Sequence, residues 1–243
     1  MITWLRSALF NLIYYGSTLI IGIIILPLLL LPDRVYWPLI RLYFVYVHLL
    51  EKYLLGLDYI VTGHEHLPTT GPYIVAAKHQ SAYETLKLPL LFARPVVILK
   101  RELLRIPFWG WYAAKSGMIG IDRGNARHAI EQMIAGARNV AALNRTLVIF
   151  PQGTRVKTTD TPTTKPYKRG IGEIYLATSL PVVPMAVNTG LFWPRNAFIK
   201  RGGRVHIAFL PAIPPGLDRD TFMTTLQSRL EDGSRALLPE PPK

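Results

Sequence analysis

A histidine and a carboxylate stand close together in the segment KHQSAYET, residues 78–85, and could form a proton-transfer pair. The segment follows a strand-like run and opens a helix, so we expect His79 at a strand end, where α/β proteins tend to place reactive groups. A carboxylate at Glu84 that bonds one ring nitrogen fixes the tautomer, and the other nitrogen can take a proton from an alcohol. The spacing also fits a capping box begun by Ser81, in which Glu84 serves the helix alone, and such pairs arise by chance.

Two further segments could bind an anion. GMIGIDRG, residues 117–124, delivers Arg123 at the end of an apolar strand, where a guanidinium can hold a phosphate through two hydrogen bonds. FPQGTR, residues 150–155, ends a β-like run in a glycine turn whose backbone N–H groups could form an oxyanion or phosphate cradle. Taken alone, an arginine that ends a strand is more often a surface charge, and the second segment could be an ordinary turn.

With VVPMAVN, residues 182–188, these segments make four blocks in a fixed order, and the set resembles the glycerolipid acyltransferases. That family, typified by the bacterial 1-acylglycerol-3-phosphate acyltransferases, carries H-x4-D, G-x-x-F-I-x-R, F-P-E-G-T-R and a V-P strand. The resemblance covers residues 55–215. It departs from the family pattern at three positions: Glu84 replaces the aspartate, Gly120 the aromatic residue and Gln152 the glutamate.

The resemblance implies direct acyl transfer from acyl-CoA or acyl carrier protein to the free hydroxyl of a lysophospholipid, most simply 1-acyl-sn-glycerol-3-phosphate giving phosphatidic acid. His79 is then the general base and Glu84 its partner, and no cofactor or metal is expected. The residues that the resemblance assigns to substrate binding are Lys100, Arg123, Gln152, Gly153, Thr154 and Arg155.

Two other functions stay open, and the first of them follows from Gln152, which lacks the charge of the family's glutamate and so could alter acceptor binding. The chain could acylate another lyso-lipid, or it could be a catalytically silent lipid-binding protein at the membrane. A serine hydrolase that uses Ser81 is disfavoured, since HQS lacks the G-x-S-x-G elbow.

The site must be carried by an α/β domain, which we predict over residues 56–243 as a single mixed or mainly parallel sheet flanked by helices. Strand-like and helical runs alternate along this region. Strands are predicted over residues 59–62, 73–77, 96–99, 118–121, 146–150, 182–187 and 205–210, and helices over 81–92, 125–143, 167–179 and 219–237. The tail PEPPK, residues 239–243, is predicted to be solvated.

Residues 1–55 are predicted to form a membrane-associated helical hairpin. Leu12–Leu31 holds twenty residues without a charge, which is long enough to cross a bilayer as a helix. No small-residue cleavage site follows, which argues against a signal peptide. Val35–Leu55 is a second apolar stretch, and its tyrosines are typical of the lipid–water interface. Whether the hairpin spans the membrane or dips into one leaflet is left open by the sequence.

The composition limits the classes of molecule that the protein could bind and the chemistry it could use. A net charge of +13 calls for an anionic partner, and the scattered Lys and Arg residues favour an anionic membrane and an anionic substrate over nucleic acid. The absence of cysteine excludes disulfides and thiolate nucleophiles. A basic domain beside an apolar hairpin indicates the cytoplasmic face, here of a bacterial inner membrane.

Overall fold

The computed structural model describes residues 1–239, whose strands form one seven-stranded mixed sheet. The order is β1-β7-β6-β2-β5-β3-β4, and β6 and β7 are the one antiparallel pair of neighbours in it. The predicted fold class is therefore confirmed. The strands are β1 Leu57–Thr62, β2 Ile74–Ala77, β3 Val96–Lys100, β4 Ile119–Ile121, β5 Leu147–Ile149, β6 Val182–Val187 and β7 Gly203–Phe209.

Helices cover both faces of the sheet. They are α1 Ile2–Ile24, α2 Asp33–Leu50, α3 Tyr83–Leu91, α4 Trp109–Lys115, α5 Ala126–Ala142, α6 Gly170–Thr178 and α7 Arg219–Ala236. One core cluster joins the sheet to α5, α6 and α7, and a second joins its other face to α1 and α3. Every residue of β2 is buried, as expected for a central strand covered on both faces.

The helices differ from the prediction most at α1, at α6 and between residues 101 and 115. α1 begins ten residues ahead of the uncharged stretch and ends at Ile24, since Pro27 cannot continue the ladder of hydrogen bonds. α6 begins at Gly170, three residues later than predicted. Residues 101–115, for which no element was predicted, form a 3-10 helix and α4. The tail predicted to be solvated is residues 239–243. Pro239 is exposed, and residues 240–243 lie outside the described residues.

α1 lies along the α/β domain rather than projecting from it. Near its start, the Ser7 hydroxyl donates to the carbonyl of Lys200, 3.1 Å away, and Phe10 is fully buried in the second core cluster. Near its end, the Tyr112 hydroxyl donates to the carbonyl of Gly22, 2.7 Å away. Only 11% of the residues in its most apolar 18-residue window are buried, and large apolar side chains such as Leu12, Ile20 and Ile24 are exposed.

A buried ion pair joins the hairpin to α3. After α2 the chain makes one π-helical turn, Glu51–Leu55, and Glu51 pairs there with the ammonium of Lys87. Both side chains are fully buried, and the ammonium also lies 4.3 Å from the ring centre of Tyr83. Burial lowers the pKa of Lys87, and the Glu51 carboxylate opposes that shift. The hairpin and the domain therefore share one core.

Two glycines give a matched test of the packing between the turn after β1 and the end of β7. Gly63 and Gly71 both have φ of +77°, but a Cβ at Gly63 would lie 1.9 Å from the carbonyl oxygen of Phe209, whereas nothing lies within 4 Å of a Cβ at Gly71. We expect Gly71→Ala to lower the free energy of unfolding by about 1 kcal/mol, the cost of the left-handed conformation alone. Gly63→Ala should cost about 3 kcal/mol or more, because β7 must move. Denaturant unfolding in detergent measures both, and equal losses would contradict this packing.

Candidate active site

The carboxyl ends of four parallel neighbours, β2, β5, β3 and β4, meet at one edge of the sheet. The residues predicted to do chemistry follow these ends directly. His79 comes two residues after β2, Gln152 three after β5, and Arg123 two after β4, while Lys100 is the last residue of β3. Topology therefore places segments that are far apart in sequence at one edge.

His79 and Glu84 are in contact. The Nδ1 atom of His79 lies 2.8 Å from Oε1 of Glu84, so the carboxylate reaches the imidazole as predicted. Glu84 is fully buried, and the His79 side chain is 17% exposed. This bond commits Nδ1 to the carboxylate as a donor and leaves Nε2 as the nitrogen available to a bound molecule.

Glu84 also binds the loop just before its helix, which forms one of the two hydrogen bonds of the predicted capping box. The same Oε1 accepts hydrogen bonds of 2.8 Å from the backbone N–H groups of Gln80 and Ser81. α3 begins at Tyr83 with Ala82 as its N-cap, one residue later than the predicted cap at Ser81. The Ser81 hydroxyl still accepts from the N–H of Tyr83 at 3.0 Å.

The third sequence block, residues 150–155, contacts the imidazole of His79 through an aromatic ring. The ring of Phe150 stacks on that of His79, with the centroids 4.0 Å apart and the planes inclined by 24°. The carbonyl of His79 accepts from the N–H of Val156 at 2.7 Å. The imidazole is thus held by a carboxylate, an aromatic face and its own backbone.

Arg123 and Gly153 are also brought together. The Arg123 guanidinium donates to the carbonyl of Gly153 at 2.7 Å, which ties the end of β4 to the turn after β5. Gly153 has φ of +66°, and its own N–H donates to the carbonyl of Phe150 at 2.9 Å. An oxyanion donor from this turn must therefore be a neighbouring N–H group rather than that of Gly153.

Arg195 belongs to this region and was missed by the sequence reasoning. It lies on the loop after β6, and its guanidinium is 3.4 Å from the Thr154 hydroxyl and 3.3 Å from the carbonyl of Arg155. The partners are forty and forty-one residues away in sequence. Its one sequence signal is a basic residue soon after the V-P strand.

The structure does not bring Lys100 to the histidine pair. Its ammonium lies 3.2 Å from the Glu102 carboxylate, at the same sheet edge but on the β3 side. Gln152 is buried instead of facing solvent, with 3% of its surface exposed, and within residues 1–239 its Oε1 atom has no hydrogen-bond partner. The assignment of both residues to substrate binding stays a prediction.

A buried network of charged and polar side chains contacts Lys78, the residue that precedes His79. Lys78, the residue before His79, is 3% exposed, and its ammonium lies 2.6 Å from the carboxylate of Glu231 on α7. The Tyr167 hydroxyl donates to the other oxygen of Glu231 at 2.8 Å. Burial, and then the Glu231 carboxylate, raise the pKa of Tyr167, so it stays a donor at neutral pH. α7 therefore fixes the end of β2 through one ion pair.

Removing Glu231 should destabilise the protein through Lys78. We expect Glu231→Gln to lower the free energy of unfolding by about 3 kcal/mol, because a buried ammonium loses its counter-charge. Lys78→Met combined with Glu231→Leu should recover most of that loss. Glu131→Gln, at an exposed pair with Arg127, is the control and should change it by no more than about 0.5 kcal/mol. A double variant as unstable as the single one would contradict the role of the pair.

Comparison with known proteins agrees with this geometry. A 1-acyl-sn-glycerol-3-phosphate acyltransferase from Pseudomonas aeruginosa is 31% identical over 182 residues, which are 75% of this chain and 69% of that protein. The protein of the same name from Saccharomyces cerevisiae is 35% identical over 172 residues, covering 70% of this chain and 56% of that one.

The crystal structure of the 1-acyl-sn-glycerophosphate (LPA) acyltransferase from Thermotoga maritima has the same fold, with a TM-score of 0.70 over 97% of both chains and 21% identity. The family model described as Acyltransferase matches residues 58–188, a span that runs from β1 to the residue after β6 and includes all four sequence blocks. That span is more than half of the 243 residues, and it contains both the contact of His79 with Glu84 and the contact of Arg123 with Gly153. The chain belongs to the acyltransferase family.

Proposed function

We propose that this acyltransferase moves a fatty-acyl chain from a thioester to the free hydroxyl of 1-acyl-sn-glycerol-3-phosphate and so makes phosphatidic acid. The observation that carries the proposal is the 2.8 Å contact of His79 with Glu84 at the same sheet edge as a group of guanidiniums. The names of the similar proteins support the same acceptor. No cofactor is required, and acyl-CoA or acyl carrier protein supplies the acyl group.

In the proposed reaction His79 is the general base. Its Nε2 atom takes the proton of the acceptor hydroxyl as the oxygen attacks the thioester carbonyl carbon. Glu84 stabilises the imidazolium that forms, because its Oε1 atom already accepts from Nδ1. The tetrahedral intermediate then expels the thiolate, which takes the proton from Nε2 and leaves as the thiol. No covalent acyl-enzyme is needed.

The acceptor's phosphate is proposed to lie against Arg123, Arg155 and Arg195. The guanidiniums of Arg123 and Arg195 both donate to carbonyls of the turn at residues 153–155, and Arg155 belongs to that turn, so three positive charges are carried on or beside one turn. Like charges held together repel, and a bound phosphate relieves that repulsion while it accepts charge-assisted hydrogen bonds. Backbone N–H groups beside Gly153, and the predicted ligands Thr154, Gln152 and Lys100, complete the proposed contacts.

We place the enzyme on one leaflet of an anionic membrane, at the cytoplasmic face of a bacterial inner membrane. Both ends of α1 contact the α/β domain, through Ser7 and through Gly22, so the helix lies along that domain. A helix held at both ends cannot cross the bilayer while the domain stays in water. Its uncovered apolar surface suits an in-plane position in the lipid interface.

Replacing the base tests the proposal directly. We expect His79→Ala to lower the turnover number by about 10²–10⁴, the usual contribution of general-base catalysis. Lysophosphatidic acid and acyl-CoA supplied to purified protein, with the product followed by lipid mass spectrometry, give the measurement. His128→Ala, at an exposed histidine on α5, is the matched control and should keep full activity. Near-normal transfer by His79→Ala would refute the mechanism.

The arginine group predicts a different kinetic effect. Arg123→Ala should raise the KM for lysophosphatidic acid by about tenfold, the loss expected for one charge-assisted contact to phosphate. The change in KM for acyl-CoA should be much smaller. Arg127→Ala removes an arginine four residues away that is 91% exposed and pairs with Glu131, so it controls for overall charge. Equal effects of the two substitutions would contradict phosphate binding by Arg123.

A panel of acceptors separates the proposed substrate from the alternatives. Lysophosphatidylglycerol and lyso-aminolipids, offered beside lysophosphatidic acid, test whether buried Gln152 redirects the acceptor. Preferred turnover of one of these would replace the proposed acceptor and keep the mechanism. Lipid binding without turnover of any acceptor would favour the silent lipid-binding protein.

A further inference from the structure

The segment between β3 and β4 presents large apolar side chains to solvent. It consists of the 3-10 helix Arg101–Arg105, a short turn and α4. Four of its side chains are uncovered, with exposures of 38–47%: Leu103, Ile106, Trp109 and Trp111. Two tryptophans exposed this far within three residues are unusual on a surface that faces only water.

The fold holds these side chains outward. Leu104 turns inward onto β4, where a Cβ at Gly120 would lie 2.6 Å from its Cδ1 atom, so the glycine makes room for the leucine. Gly110 packs as tightly, since a Cβ there would lie 2.3 Å from the carbonyl oxygen of Leu104. With Leu104 fixed, its neighbour Leu103 points away from the sheet. Gly120, where the family pattern has an aromatic residue, therefore leaves the space that the anchoring side chain of Leu104 fills.

The turn at the tip is strained. Phe108 has φ of +62° and ψ of −68°, and the N–H of Trp109 donates to the carbonyl of Pro107 at 2.7 Å, which makes a γ-turn of the rare positive-φ kind. Such a conformation in a bulky residue persists only where its surroundings enforce it. Here the ring of Phe108 packs on that of Trp111, with the centroids 5.3 Å apart.

The segment is continuous with the apolar hairpin. The Tyr112 hydroxyl of α4 donates to the carbonyl of Gly22 near the end of α1, and the Tyr36 hydroxyl of α2 donates to the carbonyl of Tyr112 at 3.0 Å. The segment therefore packs directly against α1 and α2, which carry exposed apolar side chains of their own, such as Ile23 and Leu42. Arg105, which is exposed, and Arg101 border the four apolar side chains, and cationic residues beside aromatic ones suit an anionic lipid surface.

We propose that the side chains of Leu103, Ile106, Trp109 and Trp111 insert into the lipid leaflet as a third membrane contact beside the two helices of the hairpin. The inference rests on the proposed function only in that the acceptor is drawn from the bilayer. Because this segment directly follows Lys100 at the carboxyl end of β3, its insertion brings the sheet edge that carries His79 down onto the lipid surface. The acceptor then reaches Nε2 without leaving the leaflet entirely.

Fluorescence quenching by brominated lipid tests insertion without any measurement of activity. Trp4→Phe removes the exposed tryptophan of α1, and Trp37 and Trp193 are buried in the protein. In vesicles of phosphatidylglycerol and dibrominated phosphatidylcholine, we expect strong quenching of the Trp4→Phe variant. Adding Trp109→Phe and Trp111→Phe should abolish most of that quenching. Equal quenching of the single and the triple variant, when both co-float with the vesicles in a density gradient, would overturn the inference. The exposed apolar surface would then be better explained as a binding site for a protein partner.

Kinetics give a second readout. Trp109→Ala with Trp111→Ala should raise the KM for vesicle-borne lysophosphatidic acid by about tenfold, as interfacial contacts are lost. The turnover of a short-chain, water-dispersed acceptor should stay within about twofold, because no catalytic group is changed. Leu176→Ala, at an exposed leucine on α6 on the opposite face of the sheet, is the matched control. An unchanged KM for the double variant would overturn the inference.

The two experiments separate this inference from the proposed function. Quenching that depends on Trp109 and Trp111, together with no acylation of lysophosphatidic acid, would refute the function and keep the membrane contact. Acylation without that quenching would refute the membrane contact and keep the function.

Discussion

One carboxylate oxygen organises the site. Oε1 of Glu84 lies 2.8 Å from each of three nitrogens, those of the His79 ring and of the Gln80 and Ser81 backbone. A buried carboxylate needs hydrogen-bond donors, and all three converge on Oε1, since within residues 1–239 the Oε2 atom has no partner, so the carboxylate and the shape of the loop require each other. The start of α3 and the orientation of the imidazole are therefore fixed by a single atom.

Parallel strands extend that constraint to the rest of the site. Because β2, β5, β3 and β4 run the same way, the third block comes to lie on His79 through Phe150, and Arg123 reaches the turn at Gly153. Below the sheet edge, α7 neutralises Lys78, which directly precedes the histidine. The site is thus assembled from distant parts of the chain, and its contacts join it to the core of the domain.

The sequence predicted those parts whose signal is local. β6 was predicted with its observed bounds, because its short valine-rich run lies between Pro181 and Asn188, which are typical of strand boundaries. The contact of His79 with Glu84 was also predictable, since both residues belong to one strand–helix junction. Residues 101–115 gave no pattern, because their Gly, Pro and aromatic residues follow neither the helical nor the strand period. Arg195 and Glu231 were missed because their partners lie far away in sequence, and only the fold brings them together.

The buried pair of Glu51 and Lys87 has a consequence for how this enzyme can be handled. Truncation of the first fifty-five residues would leave the buried Lys87 ammonium without its counter-charge. It would also remove Phe10 and Leu55 from the second core cluster. What remained would expose that core and carry an unpaired internal charge, so it could not serve as a detergent-free catalytic fragment. The anchor is part of the folding unit, and any engineering that detaches it must first redesign the interior that it completes.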